Sequence, residues 1–266
     1  MPPPSWFWYT TSMSENSGCD FVHLHVHSHY SLLEAIPKLD ELIAAAKADG
    51  QTALALTDNG NLYGAIEFIK ECKKKELKPI IGVDFFIAPR TRHDREHNVD
   101  DHTFRLVLIA KDYVGYRNLL QLVSKSFTEG FHLRPRIDRE LMEMHAEGLI
   151  AIVPSISGEH ALAIKDHAMD RAREALNWYR KIYGVNCYAE ITHHEEIHGH
   201  EARMKEIVAL AKELEVPLVA AHDVYYITQD DDIARELVHK IRNGGALNRD
   251  EENSNDFSFI SQNTKR

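Results

Sequence analysis

Seven short apolar runs, most of them separated by stretches of helical periodicity, leave this chain few architectures. They stand at residues 21–26 (FVHLHV), 53–57 (ALALT), 79–88 (PIIGVDFFIA), 104–110 (FRLVLIA), 149–153 (LIAIV), 187–192 (CYAEIT) and 217–224 (PLVAAHDV). Several are apolar on both faces, as strands of a parallel sheet covered by helices must be. Between them lie amphipathic patterns such as PKLDELIAAAKADG, with proline near its start and glycine at its stop. Seven β-α units in one compact chain predict a closed, TIM-like α/β barrel of parallel strands in preference to an open doubly wound sheet. The 266 residues, 44% hydrophobic, suffice for one such core.

The remaining segments read differently. Residues 1–19 carry no basic start and no long apolar run, so they read as a disordered leader and not as a signal peptide. Residues 20–245 form the predicted domain, and 246–266 a polar tail that looks like the truncated start of a further region. Residues 89–102 lack any apolar period and read as an exposed loop. No run reaches the ~20 apolar residues that a membrane span needs. Three scattered cysteines without a C-x-x-C pair argue for reduced thiols, and so for a cytoplasmic protein. The net charge of −10 argues against bulk electrostatic binding of nucleic acid.

The first run carries the chemistry. His23, His25, His27 and His29 alternate at period two, so their rings leave one face of a strand. In α/β barrels the site gathers at the C-terminal strand ends. Reading those ends yields His25 and His27, Asp58 and Asn59, Asp84, Ser155, and Asp223 with Tyr225, while Arg105 stands at the start of the fourth run. Two imidazoles with carboxylates from other strands suit a divalent transition metal.

The segments HLHVHSHYSLLEAIPKLDELI, ALTDNGNLYGAIEFIKECKKKELKPIIGVDFFIAP, LVLIAKDYVGYRNLLQLVSKSFTEGF, GLIAIVPSISGEH and ELEVPLVAAHDVYY resemble the PHP (polymerase and histidinol phosphatase) domain. RPRID and AKDYVGYRNL resemble the branch that opens bacterial DNA polymerase III alpha subunits. The resemblance implies a distorted barrel of seven βα units and, in intact members, three metals supporting phosphoesterase and 3′–5′ exonuclease chemistry. It places the first metal on His25, His27, Asp84 and Asp223, with aspartate where the family has glutamate. For the second metal it leaves Arg105 and Ser155 at ligand positions, and for the third Glu34, Asn59 and Tyr225. Arg105 cannot ligate a metal, and Ser155, Asn59 and Tyr225 are poor replacements. At most one divalent metal, zinc or manganese, is therefore expected, with Glu34 a remnant of the third site. The resemblance further implies a scaffold within a DNA-directed DNA polymerase (a nucleotidyltransferase) whose palm has no counterpart here. Its partners would be the rest of the alpha subunit and a proofreading exonuclease subunit, with DNA met indirectly. A metal-dependent phosphoesterase or exonuclease is the alternative.

Other charged features have plainer readings. THHEEIHGHE (192–201), with His193, His194, His198 and His200, reads as a solvated loop. His222, next to Asp223 on a strand, points away from it. RTRHDREH and HLRPRID read as solvated loops, and Ile207, Leu210, Ala211 and Leu214 as the core stripe of a helix.

Overall fold

The computed structural model describes residues 21–194, 197–242 and 258–259. The expected leader and most of the tail lie outside these. The described residues form nine strands and eight α-helices, mostly in alternation. The strands are β1 (His25–Val26), β2 (Ala53–Leu56), β3 (Lys78–Ile87), β4 (Phe104–Ala110), β5 (Arg136–Ile137), β6 (Leu149–Val153), β7 (Cys187–Ile191), β8 (Leu218–Ala220) and β9 (Asp223–Val224). The helices are α1 (Leu39–Ala48), α2 (Ala65–Lys74), α3 (Tyr113–Thr128), α4 (Arg139–Met144), α5 (Glu159–Lys165), α6 (Met169–Tyr183), α7 (His200–Glu213) and α8 (Asp232–Arg242).

The main sheet runs β2-β3-β4-β6-β7-β8, with β5 beside β3. The ring closes through β1. That strand pairs in parallel with β9, His25 opposite Asp223. On its other side Ala55 N donates to His23 O at 3.0 Å and Thr57 N to Val26 O at 2.8 Å. The result is a distorted TIM-like barrel. No helix among the described residues is long and apolar enough to cross a membrane.

An all-parallel sheet was the expectation, and β4 corrects it, being antiparallel to both β3 and β6. A parallel return needs a crossover long enough to carry the chain back, usually a helix. Residues 88–103 hold no helix, so the chain turns and pairs with β3 directly. Two further differences are local. The run at 217–224 splits into β8 and β9 around Ala221 and His222, and the linker RPRID contributes β5.

The loop at 89–102 is not simply exposed. Arg136 is fully buried and donates to the carbonyls of Gly130 (3.1 Å), Asp100 (3.0 Å), Asp94 (2.8 Å) and Arg92 (3.3 Å). Arg92 in turn reaches Asp138, whose other role is to cap α4 through Leu141 N. A guanidinium with its donors spent on carbonyls pins a loop that has no hydrophobic reason to pack. Elsewhere two glycines set an approach no side chain would allow. A Cβ on Gly115 would lie 1.8 Å from the carbonyl oxygen of Gly148, which itself has φ +73°. This contact seats α3 against the entry to β6.

A large core lies between the strands and the helices, including the Ile207, Leu210 and Ala211 stripe of α7. A second apolar cluster takes Ile80, Val107, Ile109, Ile150, Ile152, Tyr188 and Val219 from five strands, with Leu24 just before β1, and plugs the ring. By period two, Asp84 shares a face with Ile80, Arg105 with Val107, and Glu190 with Tyr188. A polar layer therefore sits on an apolar plug, at the mouth formed by the strand ends.

Candidate metal centre

Antiparallel β4 matters here, because its start, and not its end, lies at the mouth. Arg105 thereby faces the C-terminal ends of its neighbours, in register with Phe86. The residues read from the strand ends converge. His25 Nε2 lies 3.2 Å from Asp84 Oδ2 and 3.4 Å from Asp223 Oδ1. His27 Nε2 lies 3.4 Å from Asp84 Oδ2, and its Nδ1 3.0 Å from Asp223 Oδ1 and 3.2 Å from the carbonyl of Val224. Both imidazoles and Asp84 are buried, whereas the Asp223 side chain is 17% exposed and faces the opening.

Among these, His25, His27 and Asp223 each offer one ligand atom, all within 4.8 Å of one another. Asp84 is close but committed. Arg105 Nε donates to its Oδ1 at 3.1 Å and Arg105 Nη2 to its Oδ2. The same Nη2 donates to Asn59 Oδ1, and the guanidinium lies 4.1 Å over the Phe86 ring. Asn59 passes the contact on, its Nδ2 donating to Glu34 at 2.9 Å. Glu34 also meets Arg242 at 3.0 Å and Arg134 at 3.4 Å. Tyr225 stacks on His27, with ring centroids 4.1 Å apart, under Arg235. Of the five positions read as second- and third-metal ligands, Arg105, Asn59 and Glu34 therefore form a chain of arginine, amide and carboxylate contacts, while Ser155 and Tyr225 stand outside it.

The electrostatics follow from that packing. Burial alone would push the His25 imidazole down; Asp223, Glu190 and Asp84 override it and hold it well above the ordinary range. His27 is raised in the same way, against burial, by Asp223 and Asp84. Burial would raise the Asp84 carboxyl, but Arg105 and both imidazoles hold it well below the usual range. Asp223 is lowered by His25 and His27 against its own desolvation. Burial, then Asp223, pushes the Tyr225 phenol well above its usual value, so it stays neutral.

This donor set could hold a metal ion. His27 Nε2 and Asp223 Oδ1 are buried atoms that make no hydrogen bond among the described residues, although each lies near an opposite charge. Buried polar atoms left in this way point to an absent partner. Two imidazoles and a carboxylate are ligand types that divalent transition metals take. Beside this set, Arg105 occupies both oxygens of Asp84.

Two sequence readings change at this site. Glu190, unremarked in CYAEIT, is 2% exposed and lies 3.0 Å from His25 Nδ1. Its other oxygen accepts from Ser155 N at 2.9 Å and Ser155 Oγ at 3.2 Å. The segment read as a solvated loop also turns inward. His194 and His200 are buried, with His194 stacked on His222 at 5.0 Å and edge-on to His200 at 5.2 Å. His200 begins α7 and His222 sits in the β8–β9 break, so two rigid elements trap rings that a free loop would leave in water. Asp58 is structural, accepting from Ser28 N (2.7 Å), Ser28 Oγ (2.9 Å) and Ser31 Oγ (2.7 Å) to fix the turn after β1. His23 packs edge-on to Phe21 and against Phe259, while His29 lies against Tyr30.

Comparison with known proteins gives a consistent set of similarities. Residues 23–194 match the family described as the PHP domain. The chain is 40% identical over 223 residues to the DNA polymerase III subunit alpha of Treponema pallidum, covering 82% of this chain and 19% of that protein. It is 37% identical over 246 residues to the corresponding subunit of Borreliella burgdorferi, covering 91% and 21%. The chain thus spans about a fifth of the length of the curated relatives it matches. Among solved structures, an amidohydrolase from Chromobacterium violaceum, with bound sulfate and no metal, aligns over 77% of this chain and 87% of its own at 13% identity and a TM-score of 0.44.

Proposed function

The chain belongs to the PHP-domain family, and on that premise we propose that it is the PHP region of a replicative DNA polymerase III alpha subunit, acting as a scaffold and docking surface. The observation that carries the reading is Arg105 seated on Asp84. A guanidinium is an obligate cation with no lone pair to give, and it meets a carboxylate as a bidentate fork. It supplies the positive charge a second metal would bring, without that metal's reactivity.

Helix α8 supports the docking half of the proposal. Its Ile233, Leu237 and Ile241, at i, i+4 and i+8, are 77%, 58% and 63% exposed. Its Arg235 and Arg242 turn inward to Glu34 and Tyr225. A surface helix ordinarily packs its apolar stripe inward and its charges outward. The inverted arrangement suits a face that another part of a longer protein covers. On this reading the domain is residues 20–245 of a cytoplasmic protein. Its partners are the rest of the alpha subunit and a proofreading exonuclease subunit, and DNA is met through them.

The retained site is His25, His27 and Asp223, with Asp84 behind them, for one zinc or manganese. A metal there would supply Lewis-acid polarisation of a phosphoryl oxygen. The protein's own part is to hold two imidazoles and a carboxylate around one point with Asp223 at the opening, while Arg105 and Glu34 close the positions beyond. Ser155, Asn59 and Tyr225 hold no metal in this scheme. Elemental analysis after dialysis against zinc or manganese should find at most one tightly held equivalent per chain; two or three would overturn the reading.

A second reading rests on the same three ligand atoms within 4.8 Å. It makes the chain a metal-dependent phosphoesterase or 3′–5′ exonuclease working on one metal. Purified chain incubated with 3′-labelled single-stranded DNA and manganese should release no nucleotide. Release that Asp223→Ala abolishes would favour this second reading over the scaffold.

A further inference from the structure

Glu190 is a buried carboxylate of the mouth that is neither one of the three metal-ligand candidates nor paired with Arg105. It lies near the end of an otherwise apolar strand, where an ionised group is costly unless both oxygens are matched. They are matched by different elements. Oε1 faces His25 Nδ1 at 3.0 Å, and Oε2 takes the backbone N–H and hydroxyl of Ser155. Ser155 Oγ lies 2.9 Å from Thr192 Oγ1, and Thr192 Oγ1 lies 3.3 Å from His200 Nε2. That nitrogen also meets the Thr192 carbonyl at 3.0 Å. The carboxylate is therefore fixed from the segments that follow β6 and β7 and from the start of α7 before it meets the imidazole.

We propose, building on the one-metal reading, that Glu190 is the positioning residue of this site: it orients His25 and directs its Nε2 lone pair to the metal. The two rings are held in different ways. His27 Nδ1 has a backbone carbonyl, that of Val224, which no side-chain substitution removes. His25 Nδ1 has only a side chain. With Nδ1–H donated to Glu190, the ring has one remaining nitrogen to offer, and it is the one facing Asp84 and Asp223. Carboxylates behind metal-bound histidines fix tautomer and ring angle in this way and raise ligand basicity. Ser155, read from the sequence as a lost ligand, serves here as the anchor of that carboxylate.

Glutamine at this position would keep the shape and lose the function. It has a single acceptor oxygen for two sets of donors, from His25 and from Ser155. Its NH₂, if turned to His25, requires Nδ1 as acceptor and moves the proton to Nε2, the ligand atom. Zinc affinity, measured by chelator competition on wild type, Glu190→Gln and Ser155→Ala, tests the proposal. Glu190→Gln should weaken zinc binding roughly 10- to 100-fold at unchanged far-UV circular dichroism. In ¹⁵N–¹H spectra of the zinc-loaded chain, the exchange-protected Nδ1–H of His25 should vanish with the substitution.

Folded Glu190→Gln that binds zinc within about twofold of wild type, or that keeps that proton signal, overturns the role. Should Glu190→Gln fail to fold, Ser155→Ala decides: affinity weakened threefold or more supports the proposal, and unchanged affinity overturns it. If wild type takes up no zinc, the one-metal reading itself fails, and His25 is then read in the metal-free chain at alkaline pH. There Nδ1–H bonded to Glu190 supports the positioning role, and the Nε2–H tautomer overturns it.

Discussion

Replacing Arg105 with alanine should lower the stability of the metal-free chain by about 3 kcal/mol. The substitution leaves the Asp84 carboxylate buried and strips it of its bidentate partner. Removing one member of a buried ion pair commonly costs about 3–5 kcal/mol, because the surviving charge stays out of water. The low end applies here, since His25 and His27 remain within 3.4 Å of Asp84 Oδ2. Arg134→Ala is the control. Its side chain is 41% exposed and meets Glu34 only at 3.4 Å, so the loss should stay below about 1 kcal/mol. Urea denaturation in EDTA measures both. If Arg105 stands in for a metal, zinc or manganese should restore part of what Arg105→Ala loses, about 2.7 kcal/mol when present at a hundred times its dissociation constant. An Arg105→Ala loss as small as that of Arg134→Ala would remove the basis for calling Arg105 a metal substitute.

The parts of the fold legible in the sequence were those that periodicity encodes. Doubly apolar runs located the strands, and the 3.6-residue stripes located the helices, because burial on one or both faces selects residue type directly. Direction was not legible in the same way. Nothing inside FRLVLIA says that it runs antiparallel; the information lies in residues 88–103, which are too short of helix to carry the chain back. Buried polar residues were hardest to read. Arg92, Arg136 and Glu190 look like surface residues by type, and only the carbonyls and donors gathered around them in three dimensions make their burial tolerable. Glu190 did leave a trace: a lone carboxylate inside an apolar strand must be matched by something. His194 and His200 left none, since one histidine-rich sequence serves equally for a solvated loop and for rings wedged between α7 and the β8–β9 break.

The pH dependence of stability should reverse its slope near pH 6.5 and should do so only without metal. Three groups of residues set the curve. Asp84 and Asp223 have carboxyl values lowered on folding, so their stabilisation is complete above the unfolded value, near 4, and is lost as pH falls through their folded values. His160 and His239 are both pushed down to about 4, chiefly by burial, so their contribution is present above 6.5 and fades as pH drops toward 4. His25 and His27 act in the opposite sense. Their values are raised, so their stabilisation is complete below 6.5 and is lost as pH rises through the folded values. Stability in EDTA should therefore climb from pH 4 to a maximum near 6.5. It should then fall by up to about 1.4 kcal/mol per pH unit for each of the two histidines, roughly 2.7 together. Zinc takes both imidazoles in their neutral form, so protons compete with it and its stabilisation grows over the same range. Urea midpoints from pH 5 to 9, with EDTA or with zinc, should diverge steadily above 6.5. Parallel curves would mean that the ion cluster of β1, β3 and β9 is not where a metal binds.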